Sequence, residues 1–100
     1  MIEQGSIPPF HSREDARQAY RPLRRWIRQH FNNEGEFALL LGISRSTLSL
    51  RFNGRRLFTQ QEMHRAYWDA ALGRPRMTKG EFILFFMSPL QFEKREGALS

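Results

Sequence analysis

Apolar side chains fall at helical spacing in several stretches of the chain. Leu23, Trp26, Ile27 and then His30 or Phe31 recur at i, i+3, i+4 and i+7 or i+8, which predicts an amphipathic helix. Pro22 fits its first turn, where a missing N–H costs nothing. The opposite face carries Arg21, Arg24, Arg25 and Arg28. Phe37, Leu40 and Leu41 make a second stripe, with Ala38 small enough for close approach by another helix. Gly42 ends that stripe, and Ser44 is placed to cap a further helix in which Leu48 and Phe52 hold core spacing. Thr59 and Glu62 form the T-x-x-E capping box ahead of Met63, Ala66, Tyr67 and Ala70, a stripe stopped by Gly73 and Pro75. Thr78 and Glu81 repeat the box.

Two regions read less sharply. Phe82 to Met87 is apolar throughout, so it has no polar residue to disclose a period and suits a short buried strand as well as a helix. The preceding cap favours helix, ended by Pro89. Met1 to His11 has Gly5, Pro8 and Pro9 without periodicity, and SREDARQAY from Ser12 has the makings of a short capped helix. The expected organisation is therefore a flexible arm over residues 1–20 with a short helix in it, a helical domain over 21–88, and a tail over 89–100. The fold class expected is all-α, a compact bundle of about five helices.

The segment EFALLLGISRSTLSLRFNG, Glu36 to Gly54, is the layout of a helix-turn-helix. With Leu48 set inward, Ser46 and Asn53 lie roughly opposite it, Leu50 flanks them, Ser49 lies to the side and Arg45 projects from the first turn. This face is short, polar and basic at its start. The run resembles the phage Cro and repressor family, the Xre-type regulators with a lambda-repressor-like DNA-binding fold. The matching residues are Glu36-Phe37-Ala38, Leu41-Gly42-Ile43-Ser44, Thr47-Leu48-Ser49, Asn53-Gly54, Phe58-Thr59 and Glu62, and the likeness covers about Leu23 to Phe86. It implies a sequence-specific DNA-binding regulator in which Arg45, Ser46, Ser49 and Leu50 meet base edges. Arg51, Asn53, Arg55 and Arg56 would then hold phosphates, joined by Arg24, Arg25 and Arg28 if their helix lies near the backbone. The chain departs from the family at Asn33-Glu34, where many relatives have Thr-Gln and the Gln holds a phosphate. A glutamate there repels one. The rival reading of Ser46, Ser49 and Leu50 is an ordinary solvent face.

Charge supports a polyanionic partner. The formal net charge is +6, and fourteen of the sixteen basic residues are arginine, whose planar fork suits phosphate and guanine edges. The excess is local: residues 1–56 hold ten arginines against five acids, whereas 57–100 hold six basic residues against five acids. With no cysteine there is no disulfide or thiolate metal site, in keeping with a cytoplasmic protein of a bacterial host. Neither a signal peptide nor a membrane span is expected. His11, His30 and His64 lack metal-ligand spacing, and no nucleophile elbow or phosphate loop appears, so neither enzyme activity nor a cofactor or small-molecule ligand is expected.

One helix cannot bury all of Phe82, Ile83, Leu84, Phe85, Phe86 and Met87 against a small core. This patch is expected to pair two copies, as a near-palindromic operator requires. The competing account has the tail from Leu90 cover it. Other functions compatible with the same residues are the DNA-binding antitoxin of a toxin–antitoxin pair, and an antirepressor that binds another regulator through the patch.

Overall fold

Short hydroxyl and amide side chains start five of the six α-helices found among the described residues, 10–91, of the computed structural model. Ser12 caps α1 (Arg13–Ala19), Asn33 caps α3 (Glu34–Leu41), Ser44 caps α4 (Arg45–Phe52), Thr59 caps α5 (Gln60–Tyr67) and Thr78 caps α6 (Lys79–Phe82). Each accepts a backbone N–H three residues on, which would otherwise be an orphan donor. α2 (Arg21–His30) starts without a side-chain cap but has Pro22 in its first turn. Both T-x-x-E boxes close reciprocally, Glu62 and Glu81 returning to the N–H of Thr59 and Thr78.

The turn between α3 and α4 depends on Gly42, which takes φ 80°. Its N–H reaches Leu39 O at 3.0 Å, and the Ile43 N–H reaches Ala38 O at 3.0 Å, the paired bonds of a left-handed helix stop. A third carbonyl, that of Leu41, accepts from the Arg65 guanidinium of α5 at 3.1 Å. The α3 end is thus satisfied by the turn and by a neighbouring helix together.

Three expectations need correction here, the third being the place of Phe10 in the core. The helix after Thr59 stops at Tyr67, so Ala70 is exposed in a turn instead of buried. Asp69 is the cause: its carboxylate accepts the Leu72 N–H at 3.1 Å and pairs with Arg76 at 3.2 Å, while its carbonyl accepts the Gly73 N–H at 2.7 Å. This side-chain-to-backbone bonding outcompetes another helical turn. A small antiparallel ribbon follows, β1 (Trp68–Asp69) against β2 (Arg74–Pro75), with Trp68 facing Pro75 and Asp69 facing Arg74. The fold is mostly helical and not strictly all-α.

The second correction concerns Pro89. The path from α6 continues through a wide π-helical turn (Ile83–Met87) into a 3₁₀ turn (Ser88–Gln91), and Pro89 sits buried near the start of that last turn, where its missing N–H is harmless. The apolar run is therefore helical. Phe82, Phe85 and Phe86 point inward at i, i+3 and i+4, while Ile83 and Leu84 point out.

Aromatic rings dominate the interior. Tyr20 is surrounded by Phe10, Phe52 and Phe58 at centroid distances of 5.7, 6.0 and 5.5 Å, and Phe86 meets Phe58 edge-on at 5.2 Å. Trp26 gathers Phe31, Phe37 and Phe85 in a second group. Adjacent Phe85 and Phe86 thus serve different clusters and join them. Phe10 was expected in a flexible arm, yet it is buried in the first cluster; residues 1–9 of that arm and the tail beyond Gln91 lie outside the described residues. Beside the Phe10 ring and the Ala16 methyl, Gly54 adopts φ 79°, and a Cβ there would fall 2.8 and 2.9 Å from them.

The two left-handed glycines should respond differently to alanine. Gly42→Ala meets the Arg65 guanidinium, which can swing away only by releasing Leu41 O, so urea unfolding is expected to register a loss of about 2 to 3 kcal/mol from the strained φ and the lost bond together. Gly54→Ala meets a buried ring and a methyl, and is expected to lose about 1 to 3 kcal/mol from overpacking on top of its own strained φ.

Candidate nucleic-acid interface

α4 presents an outward face because Leu48 and Phe52 are buried and the residues between them are not. Ser46 and Ser49 are exposed, Leu50 is 39% exposed, and Arg45 is exposed in the first turn without a hydrogen-bond or ion-pair partner among the described residues. All four sequence-selected residues of this face lie together on one helix. After Gly54, the backbone N–H groups of Arg55 and Arg56 fold back onto Leu50 O at 3.0 and 3.4 Å. Their side chains are exposed and without a partner among the described residues, at the α4 C-terminus, where positive charge also complements the helix dipole.

Arg51 does not belong to that surface. Its guanidinium makes a two-pronged pair with Glu62 of α5, at 2.9 Å from Nε and 2.8 Å from Nη2, and the two side chains are only 11% and 8% exposed. It is therefore unavailable to a phosphate, contrary to the expectation. The helical wheel already puts Arg51 roughly 60° from Leu48, toward the core; what sequence lacked was the partner. Burial would raise the Glu62 carboxyl, but the hydrogen bonds from Arg51 and from the Thr59 N–H, with the Arg51 charge, outweigh it and hold the group below its ordinary range. Arg51 is held correspondingly high, first by its hydrogen bonds to Glu62. Burial pushes the Tyr20 phenol far up, and the nearby Arg51 charge offsets only part of this.

Arg24 is likewise engaged. Its Nε and Nη2 donate to Glu34 at 2.8 and 3.3 Å, and its guanidinium lies 5.0 Å from the Phe52 ring centroid. The pair neutralises the glutamate whose charge was expected to repel a phosphate at the start of α3. At the same place Asn33 caps the helix. Glu36 reaches back to the Asn32 N–H and side-chain amide, both at 3.0 Å, and these bonds lower its carboxyl from the ordinary range, the backbone one most. Arg25 and Arg28 are exposed on the outer face of α2 and are not among the residues gathered beside α4.

Sequence reasoning missed Arg17. This α1 residue donates from Nη1 to Asn53 Oδ1 at 3.0 Å, and Asn53 Nδ2 lies 3.5 Å from Ser49 Oγ. Asn53 is thus half-buried and occupied by two neighbours instead of facing outward alone. The one sequence signal is the i, i+4 spacing of Arg13 and Arg17 on the short capped helix of the N-terminal arm. No helix among the described residues is long and apolar enough to cross a membrane. Comparison of the chain with protein families, with curated proteins and with solved structures finds no match.

The Arg51–Glu62 pair sets an acid response. Because the folded Glu62 carboxyl sits below its ordinary 4.5, its contribution is complete above about pH 4.5 and fades as pH falls through the lower folded value. Glu62→Gln should lower stability at pH 7 by about 3 kcal/mol, since Arg51 is left buried without its counter-charge. It should also flatten the decline between pH 4.5 and 2 relative to the parent, measured by urea unfolding at each pH.

Proposed function

We propose that the protein binds duplex DNA sequence-specifically as a regulator of the phage Cro-like kind, occupying a near-palindromic operator as a dimer and excluding polymerase. In this reading α3, the Gly42 turn and α4 act as a helix-turn-helix, and α4 enters the major groove. The observation that carries it is the division of α4. Its one committed charge, Arg51, turns inward to Glu62, whereas Ser46, Ser49 and Leu50 face out between Arg45 at one end and Arg55 and Arg56 at the other, three arginines without a partner among the described residues. Short polar side chains permit close approach to base edges, Leu50 can pack on a thymine methyl, and Arg45 can fork onto guanine N7 and O6. Arg55 and Arg56 grip the backbone.

Pairing of two copies is supported by a narrower patch than the whole apolar run. Phe85 and Phe86 are core, and Met87 is half-buried, so none of these three is a dimer contact of first rank. Ile83 and Leu84, 53% and 46% exposed, remain. Ile83 lines an apolar groove of about 310 Å³ together with Tyr67, Lys79 and Phe82.

Selection of bound duplexes from random sequence at fixed salt tests the reading, which expects an inverted repeat. Arg45→Ala should lose discrimination at one or two base pairs, about 1 to 3 kcal/mol each. Arg55→Ala should weaken every sequence alike and reduce the salt slope by about one. An unchanged base preference in Arg45→Ala would remove it as a base reader. Sedimentation should find a dimer at micromolar concentration that Leu84→Asp converts to monomer.

A further inference from the structure

A polar cleft of about 200 Å³ lies where α1, α2 and the start of α3 meet α4, and Arg17, Arg24, Glu34, Arg45, Ser49 and Phe52 line it. Three guanidiniums face one carboxylate, and that carboxylate is already bonded on both oxygens by Arg24. The cleft is left with two positive charges and a surplus of donors: the remaining N–H groups of Arg17, all those of Arg45, and the Ser49 hydroxyl. A site that is rich in donors and short of acceptors selects an anion with several acceptor oxygens. Its volume, about 200 Å³, is several times the roughly 30 Å³ share of a water molecule, enough for a tetrahedral oxyanion.

Two of the walls are held in place independently of any ligand. Asn53 fixes Arg17 at 3.0 Å, and Glu34 with the Phe52 ring fixes Arg24. Pre-set side chains lose less freedom when they bind. The aliphatic part of Arg45 rests beside Gly35, whose added Cβ would lie 3.9 Å from Arg45 Cδ, so the start of α3 bounds the opening.

We propose that this cleft seats one backbone phosphate of the bound duplex, held by the free N–H groups of Arg17, so that α1 fixes the register of α4 in the groove. The ligand rests on the duplex-binding reading; the anion site rests on the cleft alone. Arg17 is here a phosphate-binding residue that sets position, distinct from the base-facing residues of α4.

The test replaces single phosphates of a selected duplex by neutral methylphosphonates and measures affinity for the parent and for Arg17→Ala, with thermal unfolding as the check that the variant folds. In the parent, the position seated in the cleft should cost about tenfold in affinity, alongside the separate positions gripped by Arg55 and Arg56. In Arg17→Ala that position should become insensitive, with overall binding about tenfold weaker and the salt slope reduced by about 0.9. Arg17→Lys should keep the slope while losing part of the affinity. If the parent binds duplex and Arg17→Ala shows the same positional sensitivity and affinity, the proposal falls and the DNA reading stands. If the parent binds no duplex, the DNA reading and the duplex phosphate fall together. Titration with inorganic phosphate then decides the anion site, by movement of the Arg17 and Arg45 Nε–H resonances; still resonances would eliminate that too.

Discussion

The orientation of α4 about its own axis depends on the pair between Arg51 and Glu62. Leu48 and Phe52 turn the helix toward the core, but a two-residue stripe leaves it room to roll. The two-pronged bond to α5, at 2.9 and 2.8 Å, removes that freedom. Glu62 is itself fixed by the Thr59 N–H at 3.1 Å, so the capping box of α5 and the roll of α4 are set by one carboxylate. Roll matters because neighbouring residues on a helix differ by about 100°; one residue of slippage would bury Ser49 and bare Phe52. Such buried pairs add little to stability compared with apolar packing. This one specifies which side chains face outward.

Chemistry that acts within three or four residues was legible in sequence. The caps at Ser12, Ser44, Thr59 and Thr78 and the Gly42 stop all follow from short-range bonding, and so did the stripe of Leu23, Trp26 and Ile27. Features that need a distant partner were not. Arg51 and Arg24 looked free because their carboxylates lie eleven and ten residues away on other helices. In the run from Phe82 to Met87 hydropathy alone was blind, and ring shape decided the matter. The aromatic clusters had places for Phe82, Phe85 and Phe86, leaving the aliphatic Ile83 and Leu84 outside. Asp69 was readable as a turn former only once its bonds to Leu72 and Arg76 could be seen.

The arginines divide by occupation. Arg24, Arg51 and Arg76 are ion-paired, and Arg65 serves a helix carbonyl. They act as internal fasteners, so the formal charge of +6 does not describe a uniform field. What a polyanion would meet is the set without partners among the described residues, which on and just after α4 comprises Arg45, Arg55 and Arg56. Arginine suits both duties, since the fork that binds a carboxylate inside is the fork that binds a phosphate outside.

Gly54 joins the end of α4 to residues far away in the chain. It has no side chain because the Phe10 ring and the Ala16 methyl occupy that space, and its φ of 79° suits glycine besides. Positions 10, 16 and 54 therefore share a single volume and should drift together over evolutionary time. A lineage that enlarged residue 54 would have to shrink residue 10 or 16 and re-form the turn, a double step with an unstable intermediate. The triplet is accordingly a covariation marker. Its joint retention in a diverged sequence would identify a chain that still lays its first helix across the end of α4, even where every outward residue of that helix had changed.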